Sequence, residues 1–286
     1  MSLARKLRAL LILGRVSNLP TVWSNCLAGW FLGGATFVEK LPFVFVGVSL
    51  LYVGGMFLND AFDVEFDTQH RRERPIPSGA ISLSGVWRWG TVWLLIGATA
   101  LFFAGLLAGI LGLLLAGCIV FYDAIHKNVS FGPVLMGACR LLIYLIAAGS
   151  AAGEITPTVV WCGLAVAGYI IGLSFIARRE STAGALSYWP LVPLAAPILL
   201  ALLRNSQGYR GQALLLAAVL ALWIAKSLRY ALSCADRNIG RSVSGLLAGI
   251  VLVDWLAVAN APREISAAFI VLFLLAIGLQ RLVPAT

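Results

Sequence analysis

Three residues with metal-binding oxygens recur at intervals of four between two apolar runs of the chain: Asn59, Asp63 and Asp67. On an α-helix this spacing places the three side chains on one face, within about 80° of arc and about 12 Å of axis. Asp60 lies beside them. Mg²⁺ takes one or two carboxylates in proteins and completes its shell with water and substrate phosphate. The spacing therefore predicts a magnesium site formed by Asn59, Asp60, Asp63 and Asp67.

Basic residues near this stretch could neutralise a phosphorylated ligand. Arg74 follows the aspartates, Lys127 ends an apolar run, and Arg140 lies inside another run. Lys and Arg neutralise phosphate oxygens, and Arg can bind two of them at once. Together with the aspartates, these cations would suit a diphosphate ester. Two other interpretations remain open, namely a solvated loop of mixed charge for the acidic stretch and an ordinary membrane-edge lysine for Lys127.

The elements that must position these residues are membrane helices. Of the 286 residues, 60% are hydrophobic and 12% are charged, against roughly 25% charged residues in soluble proteins. The apolar runs are long and continuous rather than alternating, which favours helices over a β-barrel. The sequence predicts an all-α polytopic bundle that forms a single domain over residues 1–286. The candidate spans are residues 10–34, 41–58, two within 86–125, 132–152, 157–177, 186–203, 212–233, 243–259 and 265–282.

The distribution of positive charge predicts the orientation of the bundle. With the N-terminus inside and every run crossing, most of the 21 lysines and arginines fall on one side. The residues on the other side are Lys40, Arg204, Arg210 and Arg263. This bias predicts a multi-pass protein of the plasma (inner) membrane, with the N-terminus and the acidic loop in the cytoplasm.

Composition also argues against two other classes of protein. The net charge of +9 comes from basic residues that flank apolar spans, so we do not expect nucleic-acid binding. The five cysteines are scattered, and the sequence has no C-x-x-C motif or Cys/His cluster. We therefore expect neither a disulfide scaffold nor a zinc site.

Polar residues inside the apolar runs are further functional candidates, because an ionisable group in a membrane is costly. Arg15 and Asn18 lie near the inner end of the first run, where they could line a cavity, although Arg15 could also extend to the headgroups. Arg140 lies about two helical turns deep, which predicts an anionic partner.

Two glycine pairs have a spacing that suits close helix packing. Gly29 and Gly33 form one pair, and Gly105 and Gly109 form the other. Small residues four apart let helix backbones approach each other in membranes. The general abundance of glycine in membrane helices explains the same pattern equally well.

The acidic stretch resembles the first aspartate-rich motif of the UbiA superfamily of intramembrane prenyltransferases. The family pattern is N-D-x-x-D-x-x-x-D followed by R-P-I-P-S-G, and this chain has NDAFDVEFDTQHRRERPIPSG from Asn59 to Gly79. RVSNLPTVWSN, from Arg15, is similar to the first-helix signature of the family. YDAIHK, which ends at Lys127, is similar to its Tyr…Lys segment. Arg140 stands where the family has an arginine that contacts diphosphate.

The resemblance implies a UbiA-like bundle of nine or ten helices with prenyltransferase activity. In that family, Mg²⁺ on the aspartates binds a polyprenyl diphosphate, departure of diphosphate leaves an allylic carbocation, and an acceptor, often an aromatic ring, captures it. The metal and the cations stabilise charge on the leaving group. The implied catalytic residues are Asp63, Asp67, Lys127 and Arg140. The implied substrate-binding residues are Arg15, Asn18, Arg74, Tyr122, Arg178 and Arg179.

The chain departs from the family at the second aspartate-rich motif. Where D-x-x-x-D would end helix 6, the sequence reads GLSFIARRESTAGALSYW, and no aspartate occurs between Asp123 and Asp236. Arg178 or Arg179 could replace the second metal as the counter-charge of diphosphate. The protein could instead be a carrier or transport-associated protein for a prenyl-like lipid, or an isoprenoid cyclase. Asp236 and Asp254 are candidates for compensation.

Overall fold

The chain folds as a bundle of α-helices in a computed structural model, which describes residues 3–127, 129–152, 154–178, 188–204, 209–232 and 238–284. The helices are α1 (Leu3–Leu13), α2 (Leu19–Leu32), α3 (Leu41–Phe62), α4 (Val64–His70), α5 (Leu83–Ala104), α6 (Leu106–Ile125), α7 (Gly132–Ala152), α8 (Pro157–Ala177), α9 (Leu191–Leu194), α10 (Ala196–Leu203), α11 (Arg210–Leu232), α12 (Ile239–Ala257) and α13 (Arg263–Gln280). Within these described ranges there is no strand, so the all-α prediction is confirmed.

Eight helices in the described part of the chain are long and apolar enough to cross a membrane: α3, α5, α6, α7, α8, α11, α12 and α13. The first predicted span is the shorter helix α2, which a 3₁₀ turn at Val16–Asn18 precedes. The run predicted over residues 186–203 is divided into α9 and α10, where Pro197 lies in the first turn of α10. All ten predicted runs therefore contain helix, but two of them are shorter than a full span.

One end of the bundle gathers the polar loops. The long helices from α5 to α8 run alternately up and down, because each is joined to the next by a short connection. As a result, the C-terminal ends of α3, α6 and α8 lie beside the N-terminal ends of α5 and α7. The Ser17 hydroxyl donates to the Pro284 carbonyl at 3.4 Å, which brings the chain after α13 to the same end. We call this end the motif end.

Glycine allows α2 and α7 to pack closely. A Cβ on Gly29 would lie 2.8 Å from the Tyr144 carbonyl oxygen, and one on Gly33 would lie 2.6 Å from the Ala148 Cα. The first glycine pair therefore serves helix packing. Gly105 has a different role, because its φ of +141° turns the chain between α5 and α6.

Adding a methyl group at Gly33 should test this close contact. We expect Gly33→Ala to lower the free energy of unfolding by about 1–3 kcal/mol, since the α7 backbone would have to move. Gly117→Ala is the matched control, because a Cβ there meets no atom within 4 Å. It should be neutral or stabilising by less than about 1 kcal/mol. Thermal unfolding in detergent measures both, and equal midpoints for the two variants would contradict the packing role.

Candidate active site

The three residues of the metal-ligand prediction keep their helical register across a bend. Helix α3 ends at Phe62 and α4 begins at Val64, so Asp63 lies at the junction. The Asp63 N–H nevertheless donates to the Asn59 carbonyl at 3.0 Å, and the Asp67 N–H donates to the Asp63 carbonyl at 2.9 Å. These i to i−4 bonds are those of an α-helix. The side chains at 59, 63 and 67 therefore follow one helical face, as the spacing predicts.

Arg74 closes the loop back onto this face. Its Nη1 donates to Asp60 Oδ1 at 3.1 Å and to Asp67 Oδ2 at 2.9 Å. The chain then turns at Gly79, whose φ of +71° lies in the region that favours glycine. Ser82 accepts a hydrogen bond from the Gly85 N–H and starts α5. The arginine of the R-P-I-P-S-G sequence is thus a bridge between two of the aspartates.

Arg15 approaches the same aspartates from the turn after α1. Its backbone is left-handed, with φ of +41°, which is uncommon for a residue other than glycine. Its Nη2 donates to Asp60 Oδ1 at 3.1 Å and to Asn59 Oδ1 at 3.3 Å. Burial alone would lower the pKa of Arg15, but the negative charges of Asp60 and its neighbours hold that pKa above its ordinary value. Arg15 is therefore a partly buried permanent cation beside the motif.

Helix α6 supplies the opposite side of the site. Lys127 Nζ lies 2.7 Å from Asp63 Oδ1, and His126 Nε2 lies 3.5 Å from the same oxygen. Asn59 Nδ2 donates to Asp123 Oδ1 at 3.0 Å. The sequence analysis predicted that Lys127 lies at this face, but it did not name Asp123 as a site residue. A carboxylate near the end of an apolar run is a signal that could have identified it.

An open cleft of about 410 Å³ lies between α3, α4 and α6. It is lined by acidic, basic, amide and aromatic side chains together: Phe62, Asp63, Glu65, Phe66, Gln69, Asp123, Ala124 and Lys127. Lys127 Nζ also lies 5.1 Å from the centre of the Phe66 ring. The cleft therefore offers charged groups next to aromatic faces, which an ionic ligand with an apolar tail requires.

The oxygens at this site suit a hard cation. Among the described residues, Asp67 Oδ1 and Asp123 Oδ2 are buried and have no hydrogen-bond partner. The same ranges contain no group of three His, Cys, Asp or Glu side chains placed to hold a metal alone. Mg²⁺ does not need such a group, since it commonly takes one or two carboxylates and substrate phosphate. Asp63 lines the cleft and Asp67 keeps one oxygen without a hydrogen-bond partner, although each also pairs with a cation, whereas both polar atoms of the Asn59 amide are used by Arg15 and Asp123.

Arg140 lies in a different polar cluster, between α2, α7 and α12. Its Nη1 donates to Asn25 Oδ1 at 2.6 Å and to the Thr21 carbonyl at 3.1 Å. Asp254 accepts from Asn25 Nδ2 at 2.7 Å and from the Tyr144 hydroxyl at 2.6 Å. Arg140 therefore makes its described hydrogen bonds away from the aspartate face, and its catalytic role stays a prediction. Asp254, a candidate for compensation, belongs to this cluster.

Three further predicted residues lie near the site. Asn18 is buried at the start of α2. Tyr122 stacks on His126, with ring centres 4.9 Å apart. Arg178 Nη2 donates to the His126 carbonyl at 3.0 Å, and its Nη1 donates to that of Ser130 at 2.9 Å. Arg178 thus holds the loop that carries Lys127.

Several residues discussed from the sequence lie outside the described ranges: Arg179, Glu180 and Asp236. The roles suggested for them, including the substrate-binding role of Arg179, stay predictions.

Comparison with known sequences assigns the family. The profile of the UbiA prenyltransferase family matches residues 18–277. The chain belongs to the UbiA prenyltransferase family. Among its relatives, the digeranylgeranylglyceryl phosphate synthase of Methanoculleus marisnigri is 26% identical over 262 residues, which cover 88% of this chain and 85% of the relative. The synthase of Methanothrix thermoacetophila is 36% identical over 105 residues, which cover 36% of each chain.

Solved structures show the same fold for this UbiA family member. A structure reported for digeranylgeranylglyceryl phosphate synthase in membranes aligns with a TM-score of 0.62 and 20% identity, and covers 89% of this chain and 99% of that chain. The apo structure of a UbiA homologue from Aeropyrum pernix K1 aligns with a TM-score of 0.52 and 19% identity, and covers 94% and 97%. The chain is an integral membrane prenyltransferase, and the predictions of the family and of the enzyme class are confirmed.

Proposed function

We propose that this UbiA family enzyme binds a Mg²⁺-complexed polyprenyl diphosphate at the cleft between α3, α4 and α6. The observation that carries the proposal is a pair of ion pairs along one helical face: Lys127 with Asp63 at 2.7 Å in the cleft, and Arg74 with Asp67 at 2.9 Å one helical turn further along. Each pair joins a possible metal ligand to a possible phosphate ligand. Asp63 and Asp67 would hold Mg²⁺, which would neutralise the diphosphate and make it a better leaving group.

The basic residues of the chain would stabilise the departing diphosphate. Arg15, Arg74 and Lys127 bring three cations to the aspartates. A substrate phosphate would replace the carboxylates as their partner, and fixed cations are most effective where negative charge grows during the reaction. Phe62 and Phe66 line the same cleft, and their ring faces would favour the positive charge left on the prenyl group.

The site would be one-sided, because the second aspartate-rich motif is replaced by ARRES. Arg178 directly follows α8, and the hydrogen bonds that we observe for it are to carbonyl oxygens of the α6–α7 loop. We therefore assign Arg178 a positioning role toward Lys127. The positive charge that a second metal would add is supplied in this proposal by Arg15, Arg74 and Lys127.

The proposed acceptor is a hydroxyl group of a prenylated glyceryl phosphate. This choice rests on the relatives, several of which are named digeranylgeranylglyceryl phosphate synthases. In such a transfer, the hydroxyl oxygen would bond to the allylic carbon, the carbon–oxygen bond to diphosphate would break, and the hydroxyl proton would pass to water. The excess of basic residues at the motif end further supports placing the cleft on the cytoplasmic side of the plasma membrane.

The test is prenyl transfer by the purified protein. We expect diphosphate release from a panel of prenyl diphosphates when Mg²⁺ and a geranylgeranylglyceryl phosphate acceptor are both present, and loss of release when EDTA removes the metal. Mass spectrometry of the product would identify the acceptor atom.

Each alternative function gives a different result in this assay. Binding of the prenyl diphosphate without release would favour a carrier. Release without any acceptor, with a cyclised product, would favour a cyclase. Transfer to an aromatic ring but not to the glyceryl phosphate would contradict the proposed acceptor while leaving the proposed donor site intact.

A further inference from the structure

A second recess at the motif end is basic and shares no residue with the candidate active site. It has a volume of about 370 Å³ and lies between α11, α12 and the end of α13. One cation comes from each of these elements: Lys226, Arg241 and Arg281. Cations from three separate segments converge on one opening, whereas unrelated membrane-edge cations would each extend along their own helix to different headgroups.

The positive charge of this recess is not balanced by nearby acids in the described ranges. Helices α11, α12 and α13 contain only two acidic residues, Asp254 and Glu264. Each lies near the opposite end of its helix, and Asp254 is buried among its own hydrogen-bond donors. None of the described ion pairs involves the three cations of the recess. A cluster of cations that has no acidic partner in the described ranges attracts an anion.

The walls of the recess are held in place before any ligand binds. Trp223 Nε1 donates to the Gly245 carbonyl at 2.7 Å, and its ring meets that of Phe273 edge-on at 4.9 Å. The Arg241 guanidinium lies 4.2 Å from the centre of the Tyr230 ring. Gln280 adds a buried amide nitrogen with no hydrogen-bond partner in the described ranges. The recess therefore combines fixed aromatic walls with an available donor.

We propose that this recess binds the phosphate group of a membrane lipid. Arg and Lys would neutralise the phosphate oxygens, and the Gln280 amide would donate to one of them. The flanking helices favour a lipid over a free phosphate ester, because Leu222 on α11 and Leu274 on α13 are 72% and 61% exposed. Acyl or prenyl chains can lie against these surfaces while the headgroup stays at the cations.

The test measures lipid retention by native mass spectrometry of the detergent-solubilised protein. The probes are a diacyl phosphatidic acid, an uncharged diacylglycerol with the same chains, and soluble glycerol 3-phosphate. The variant is the triple substitution of Lys226, Arg241 and Arg281 to Gln, with Lys226→Gln alone as a milder second variant. Each lost cation should weaken phosphatidic acid binding about fivefold, or about 100-fold for all three. Arg263→Gln, at the opposite end of α13, is the matched control and should bind as the wild type does.

Three results distinguish the possible outcomes. Phosphatidic acid binding that falls in the triple variant, with diacylglycerol not retained, supports the lipid site. Glycerol 3-phosphate binding as tightly as phosphatidic acid would keep the phosphate site but assign it to a soluble ester. Equal retention by the wild type and both variants, or equal retention of diacylglycerol, would overturn the proposal. The size-exclusion profile of each variant reports whether it is folded. If the triple variant is misfolded, the deciding measurement is phosphatidic acid binding by Lys226→Gln, which should be about fivefold weaker than that of the wild type.

Discussion

Asp67→Asn is expected to lower the rate of prenyl transfer on the order of 10²–10³-fold, the cost of losing one preorganised electrostatic contact in an active site. The substitution keeps the shape of the side chain but removes its charge. Asp67 is 1% exposed, and one of its oxygens has no hydrogen-bond partner in the described ranges, so that oxygen is available to a metal ion. Its other oxygen accepts from Arg74 at 2.9 Å. The loss should therefore affect both metal binding and the position of Arg74.

The measurement is the Mg²⁺ dependence of diphosphate release by wild type and variant. Glu73→Gln is a close control, because it removes one negative charge from the same loop at an exposed residue that is outside the cleft. It should retain transfer within about twofold, the range of a screened surface charge. If Asp67→Asn retained wild-type rates at every Mg²⁺ concentration, Asp67 could not be a metal ligand.

The aspartate face was predictable because its geometry is local. Asn59, Asp63 and Asp67 are related by helical spacing alone, and the i to i−4 backbone bonds preserve that spacing even where α3 gives way to α4. The sequence did not indicate the bend at Asp63. Nor did it indicate that Arg74 would bridge Asp60 and Asp67, because a loop with two prolines can return in several directions.

The partners of Arg140 could not be read from the sequence, because they come from distant segments. Its depth in an apolar run predicted an anionic partner, whereas its hydrogen bonds go to neutral acceptors, and the Asp254 carboxylate is joined to it only through Asn25. The family resemblance placed it at a diphosphate, whereas its hydrogen bonds in the structure go to Thr21 and Asn25 on α2. Asp123 was missed for a related reason. Its contact with Asn59 depends on the packing of α6 against α3, which no local pattern contains.

Asp254→Ala should have the largest effect on stability among substitutions outside the candidate active site. Asp254 is fully buried and accepts hydrogen bonds from Ser24 and Asn25 on α2 and from Tyr144 on α7. Removing it would leave these donors without an acceptor. It would also remove the carboxylate that Asn25 joins to the partly buried Arg140. Removing one partner from a buried charged pair lowers the free energy of unfolding by about 3–5 kcal/mol. We expect a fall of that size in the free energy of unfolding.

Thermal unfolding in detergent provides the measurement, and two controls separate charge from hydrogen bonding. Glu264→Gln changes an exposed acid at the start of α13 and should leave the midpoint unchanged. Asp254→Asn keeps one accepting oxygen, so it should lose less stability than Asp254→Ala if hydrogen bonds dominate, and as much if the counter-charge of Arg140 dominates. A midpoint for Asp254→Ala equal to that of the wild type would show that α2, α7 and α12 are held together by apolar packing alone. The polar cluster would then be available for a role in binding, which is where the family resemblance had placed Arg140.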